Sequence, residues 1–548
     1  MNESNPARAA ARTATGRLFY NGHFYTGPGY AASVLWAQGG RIRALGGPEL
    51  LAAAPPELPR TDLGGGWALP GFNDSHLHLL DVGRGLASVD LFGASGPADI
   101  AARCAAFVRA HAVPPGQAVY GNGWNQDLFA GPHTLPTRAD LDAAVPDHPL
   151  LLDRVCGHIM LCNTAALRAA GITSQTPDPP GGGIDRGPGG EPNGLLRDNA
   201  VALVRPLLPA ETPAACAGRW RAALAHAAAH GLTSVQTCDV RSRDWPTVLA
   251  ALEELDAQDA LPLRLTLQCA MDTPADLQAL WDAGYRPGAH GKRWKIGPLK
   301  LFLDGSLGAR TAWLRGGYAD APGAHGLCCL PMAEALALAR KADAAGMQVV
   351  AHAIGDGAME EMLDIIETLN APRGGANPLR HGVVHCQVTA PGQWDRLAAL
   401  GAGALVQPIF LDYDHTIVTV RCGAALAGTS YAFGDAVRRG LPVSYGTDAP
   451  VESLDPLRNL YAAVTRRPLS GGAPWQPQQA VTRAQALFCY TQGSAWQEFA
   501  EAEKGRLAPG FLADFTVLDR DYFTVPEADI PRLRVQATVT GGQVVYRA

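Results

Sequence analysis

From about residue 70 to residue 500, short apolar runs alternate with Ala- and Leu-rich stretches, and this rhythm constrains the fold more than any other feature of the chain. Strand-like runs occur at 150–152, 233–237, 263–267, 296–303, 348–351, 382–384, 404–406 and 443–446, and a further one at 70–78 ends in His76-Leu77-His78. Helical stretches between successive apolar strands are the pattern of parallel βα units. Eight or so of them predict an α/β fold, a TIM-type (β/α)8 barrel whose functional residues sit where strands end.

The two chain ends have another texture. Residues 17–47 and 514–546 carry short β-prone runs joined by Asn21-Gly22, Gly39-Gly40 and Gly541-Gly542, which are hairpin signals. Hairpins from one end cannot cover their own apolar face, so 17–69 and 500–548 are expected to build one small β-sandwich beside a barrel spanning 70–499. The barrel spacing is uneven. His78 and Lys300 stand 222 residues apart, whereas the units that should separate strands 1 and 4 need roughly 100. An insertion after barrel strand 1, at about 91–221, accounts for the excess. Inside it, 175–194 holds 12 Gly or Pro in 20 residues and reads as a loop, either over the barrel mouth or on the surface. Residues 1–16 have arginines but no apolar core and read as a disordered tail, not a secretory signal.

A net charge of −6 with no basic run gives no reason to bind nucleic acid. No apolar run of about 18 residues exists to span a membrane. Eleven cysteines without a Cys-x-x-Cys pair read as small buried hydrophobes in a reducing, cytoplasmic setting.

Two residues apart on a strand, His76 and His78 face the same way and can share one metal ion. Chance supplies roughly 0.4 such pairs in a chain of this histidine content, so the pair persuades only with its partners. His352 and His385 each follow an apolar strand, Asp448 ends the run 443–448 before Pro450, and Lys300 is a lone cation in an apolar strand. Taken singly, a strand-end histidine is more often a hydrogen-bonded structural residue, and a strand lysine more often the partner of a carboxylate, here Asp304. Taken together, ligands at five strand ends converge on one axial point. Three or more imidazoles with a carboxylate suit Zn²⁺ or a similar first-row divalent ion. Burial lowers the pKa of Lys300, and its neutral amine can add CO₂ to form a carbamate, an anionic ligand able to bridge two ions. If Lys300 stays an ammonium, a mononuclear site remains.

The phrases PGFNDSHLH, LKLFLDGSLGARTAWL, VVAHAIGDGAME, HGVVHCQV, YGTDAPVESLDP and GRLAPGFLADFTVLDRD, in this order across 17–546, resemble the amidohydrolase superfamily. The resemblance is to its YtcJ-like group (amidohydrolase family 3), which includes N-substituted formamide deformylases. It implies that His76 and His78 hold a first ion, Lys300 bridges as a carbamate, His352 and His385 hold a second, and Asp448 contacts metal and moves protons. One departure is Val384, where relatives commonly have Glu before the strand-6 histidine. His381 is expected to be a loop or supporting histidine. Three further residues are candidates for substrate contact: His158, against a structural role; Trp124, against anchoring a loop; and Arg310, against a surface ion pair.

The expected function is metal-dependent hydrolysis of a non-peptide C–N bond in an amide, N-acyl or N-formyl group. Alternatives are ester, lactam or deamination chemistry at the same site, or a non-catalytic metal-binding or regulatory barrel. The partner implied is a small-molecule substrate, with no nucleic acid and no membrane, and a homodimer stays open as the assembly.

Overall fold

The central sheet is built from eight parallel strands: β1 (Phe72–Leu77), β2 (Leu232–Arg241), β3 (Arg264–Ala270), β4 (Trp294–Phe302), β5 (Val349–Ala353), β6 (Gly382–His385), β7 (Gly403–Val406) and β8 (Val443–Tyr445). This computed structural model describes residues 16–548 except 28, 127–128, 132, 155–158, 181 and 209–211. Each strand pairs with the next in chain order. Where β1 and β8 end, Asp448 N donates to His76 O and His78 N to Ala449 O, both at 2.8 Å, which joins the first strand to the last. The expected TIM-type barrel is therefore present.

That closure needs a residue without a side chain. A Cβ on Gly446 would lie 2.6 Å from His76 N and 2.8 Å from Asp74 Oδ1, so only glycine lets β8 come this close to β1. Asp74 makes the seam polar: its carboxylate accepts from Thr447 N, Thr447 Oγ1 at 2.8 Å and Tyr490 Oη at 2.9 Å.

The chain ends form two mixed sheets. One contains Gly16–Tyr20, Val34–Gln38, Arg41–Gly46 and Arg60–Asp62; the other combines His23–Tyr25, Tyr30–Ala32 and Trp67–Pro70 with Phe515–Leu518, Val535–Thr540 and Gln543–Arg547. Phe19 and Phe24 from the N-terminal part share a core with Phe515 and Val517 from the C-terminal part. The rings of Phe19 and Phe515 meet edge to face with centroids 4.9 Å apart, a contact worth about 0.5–1.5 kcal/mol beyond its burial. Residues 1–15 of the expected tail lie outside the described residues, and Gly16 already opens a strand.

The chain divides into two compact units, one of them Leu80–Ala222 and the other the remainder. The inserted unit begins at Leu80, ahead of the expected start near Leu91. It has its own mixed sheet, ordered Gly182–Arg186, Pro192–Asp198, Ile159–Cys162, Leu150–Arg154, Val119–Trp124, Val89–Asp90. Two expectations change here. The run at 150–152 is not a barrel strand but the centre of this sheet, because three consecutive leucines mark any doubly covered strand, whichever sheet holds it. The Gly- and Pro-rich 175–194 is not all loop, since Gly182–Arg186 and Pro192–Asp198 pair antiparallel. Buried Ile184 and Leu196 face each other there, and Gly190 turns the chain with φ 80°.

Candidate functional site

Barrel closure sets β1, β6 and β8 around one point. The Nε2 atoms of His76 and His78 both lie 3.3 Å from Asp448 Oδ1, and ligand atoms of His76, His385 and Asp448 fall within 4.8 Å of one another. The four imidazoles form a chain of ring contacts: His76 to His78 at 5.3 Å, His76 to His385 at 5.5 Å, and His385 to His352 at 4.4 Å. Side chains up to 372 residues apart in sequence thus share one mouth.

The far nitrogens decide what the near ones can do. Gln268 Nε2 donates to Ser75 O, which turns its Oε1 toward His76 Nδ1 at 2.7 Å. Gln407 Nε2 donates to Leu405 O, which turns its Oε1 toward His385 Nδ1 at 2.8 Å. An amide oxygen only accepts, so both imidazoles carry their proton on Nδ1 and present a bare Nε2 lone pair to the cluster. His78 Nδ1 has the carbonyl of Cys238 at 3.2 Å, with Arg241 Nη2 at the same distance; the carbonyl favours the same tautomer. Asp448 Oδ1 is buried among these nitrogens with no hydrogen-bond donor aimed at it. The bare lone pairs of His76 and His385 beside this carboxylate oxygen call for positive charge, which a proton on His78 or a metal ion can supply.

Strain marks the same place. His385 has φ 81° and Asp448 φ 58°, a left-handed conformation costing of order 1–3 kcal/mol at each non-glycine residue. The backbone bonds from Cys386 N to Ala353 O, 3.2 Å, and from Asp448 N to His76 O hold it. Such outliers persist where the surroundings over-determine them, and here they aim two candidate ligands inward.

Electrostatics follow from burial. Burial first, then Lys300, holds His76 well below the usual 6.5; burial and then His352 do the same to His385. For His78, burial opposes protonation but Asp448 and the Cys238 carbonyl outweigh it, so its pKa is raised. Asp448 is pushed up by burial and pulled down further by His78, His76 and His385, and it stays ionised.

Lys300, on β4, is buried, and no carboxylate among the described residues lies within ion-pair distance of its Nζ. The ammonium sits 3.9 Å over the Phe302 ring and 3.5 Å from Leu301 O. Burial brings its pKa down to about 8. Asp304, its expected partner, is occupied elsewhere: it accepts from Ile354 N, Gly355 N and Trp313 N at 2.7–3.0 Å. It also lies 3.3 Å from His352 Nε2, which faces Gly305 O at 3.0 Å. A ligand role for His352 therefore falls to its Nδ1.

The remaining sequence candidates are elsewhere. Trp124 is fully buried in the core of the inserted unit and donates its indole N–H to Leu152 O at 2.8 Å, which is an anchoring contact. Arg310 pairs with Asp320 at 2.8 Å, its side chain 41% exposed, and that is the ion pair weighed against substrate contact. His158 lies outside the described residues. Val384 packs on Val350 and Leu405 in the barrel interior. His381 accepts from Val349 N at 3.0 Å and faces Asp343 at 2.9 Å, pinning the start of β5. Sequence reasoning missed Asp74, Gln268 and Gln407. Their available signal was a polar side chain inside or directly after an apolar strand run.

Residues 61–546 match the amidohydrolase family, and the chain belongs to it. It is 34% identical over 540 residues to the YtcJ protein of Bacillus subtilis (strain 168), covering 96% of this chain and 99% of that one. It is 27% identical over 532 residues to the N-substituted formamide deformylase of Arthrobacter pascens, covering 94% and 95%. Among solved structures, an uncharacterized metal-dependent hydrolase from Pyrococcus horikoshii OT3 superposes with a TM-score of 0.75 at 29% identity, over 93% of this chain and 99% of the other. Fold, family and a cation-shaped cluster together define a metal-dependent hydrolase. Among the described residues no helix is long and apolar enough to cross a membrane.

Proposed function

We propose that this chain hydrolyses a non-peptide C–N bond, in an amide, N-acyl or N-formyl group of a small molecule. The observation that carries this reading is Asp448 Oδ1, buried and without a donor, 3.3 Å from two Nε2 atoms. The likeness to an N-substituted formamide deformylase along nearly the whole of both chains supports the choice of bond. His76 and His78 would hold one divalent ion, with Zn²⁺ the best match to imidazole and carboxylate donors. His385 and His352 would hold a second. Lys300 would bridge them after its neutral amine adds CO₂ and releases a proton, and its burial without a carboxylate partner favours the uncharged amine this step needs.

When bound at these residues, a divalent ion would supply Lewis acidity, which lowers the pKa of water and polarises a carbonyl. The protein's own part is proton handling and aim. Asp448, ionised and short of a donor, accepts the proton of the attacking water and returns it to the leaving nitrogen. Gln268 and Gln407 keep Nδ1 protonated so that Nε2 stays available. Asp74 fixes the β1–β8 seam on which His76 and Asp448 both stand.

The test is metal analysis of protein purified without chelator, paired with a panel of N-formyl and N-acetyl amines, matched esters, lactams and aminated heterocycles. Bound zinc with turnover of the N-acyl amines is the expected result. Turnover confined to esters, lactams or ring deamination would reject the C–N acyl assignment, and a metal-free, inactive protein would reject the hydrolytic one.

A further inference from the structure

The inserted unit has a cavity that the hydrolytic reading does not use. It encloses about 630 Å³, within the size range of small-molecule sites. Its apolar walls come from both hydrophobic clusters of the unit: Phe107 and Val113 pack on one, Tyr120 and Leu208 on the other. A cavity between two cores has walls that cannot collapse without disturbing either.

Its charge is one-sided. Among the described residues, Arg84, Arg205 and Arg219 line it and no Asp or Glu does. Arg205 is more than half exposed and comes only to 3.9 Å from Asp153 Oδ2, an oxygen already taken by Tyr120 Oη at 2.8 Å. Its planar fork keeps donors available for a carboxylate. Arg84 is held by Asp81 and adds positive potential rather than a free donor.

We propose that this cavity is a second ligand site, taking a small amphipathic carboxylate whose hydrocarbon part lies against Phe107 and Leu208 and whose anion meets Arg205, with Arg84 and Arg219 adding positive potential. It is independent of the metal chemistry, so it stands or falls without the barrel site.

The experiment is calorimetric titration of the full chain with 4-phenylbutyrate, and with 4-phenylbutanol as the uncharged control. Saturable binding of the carboxylate is expected, about tenfold or more tighter than the alcohol, and unchanged in His76→Ala. Arg205→Gln should weaken it about tenfold or more. Ala215→Trp, which fills the cavity from a partly exposed position and leaves every charge in place, should abolish it, so loss of fold in the arginine variant cannot mask the answer. No saturable binding, equal affinity for the alcohol, loss in His76→Ala, or full retention in Ala215→Trp would each overturn the proposal.

Discussion

The barrel contains two buried clusters of charge, one at each end of its strands, and they are built on opposite rules. Near the strand starts, Glu498 accepts from Asn73 Nδ2 at 2.7 Å and Thr266 Oγ1 at 2.5 Å, and pairs with Lys504 at 2.6 Å and Lys295 at 3.3 Å. Lys504 also donates to Ser234 at 2.8 Å. Both carboxylate oxygens are spoken for. At the strand ends, among the described residues, Asp448 Oδ1 has no hydrogen-bond donor, Lys300 has no carboxylate within ion-pair distance, and His385, Cys386 and Asp448 are held in left-handed backbone. The first cluster is complete within the protein. The second is complete only with something added, which is how a binding centre differs from a structural ion network of similar composition.

That contrast breaks most sharply under single substitutions. Asp448→Asn should lower kcat by about 10²–10⁴-fold, the usual worth of a positioned acid–base group, while the far-UV circular dichroism spectrum stays that of the parent. Turnover at the parental rate would remove Asp448 from its role. Glu498→Gln should do the reverse: it strands Lys504 and Lys295 and costs about 3–5 kcal/mol of stability in denaturant melts. Turnover per bound metal at 25 °C should be kept, and a catalytic defect there would mean that the strand starts are not merely structural.

Acid separates the clusters too. Burial pushes Glu498 up, but Lys504 and Lys295 outweigh it and bring its pKa down to about 2 from the usual 4.5. A folded value below the unfolded one means that the stabilisation is fully present above about pH 4.5 and is lost as pH falls toward 2, an effect of about 3 kcal/mol. Urea melts between pH 6 and pH 2.5 should show this loss in the parent and a much smaller one in Glu498→Gln. Identical slopes would rule Glu498 out as the acid-sensitive group.

The legibility of the two clusters from sequence was unequal for the same physical reason. Period and spacing exposed the barrel, because every βα unit repeats one pattern, and His76, His78, Lys300, His352, His385 and Asp448 stood out as polar residues where apolar runs end. Residues 150–152 misled because burial on both faces looks alike in any sheet. Gln268, Gln407 and Asp74 were illegible as partners, since a hydrogen bond between β1 and β3 joins residues 192 apart that carry no common periodicity. Nor could the sequence show that Glu498, beyond the last barrel strand, returns to the strand starts.

Those unseen amides carry the finest test. Gln268→Leu and Gln407→Leu keep the approximate volume of the side chain but remove the acceptor on Nδ1, freeing each imidazole to place its proton on Nε2 and turn it from acceptor to donor. Losing such a partner typically costs 10–100-fold in metal affinity or activity, so competition with a chromophoric chelator should show zinc affinity falling by about that factor. Gln268→Glu, which still accepts from Nδ1, should retain most of it, and the rescue is the discriminating result. If leucine and glutamate at position 268 weaken zinc equally, the amide acts through packing rather than by fixing the tautomer, and the unpartnered character of the strand-end cluster would need another cause.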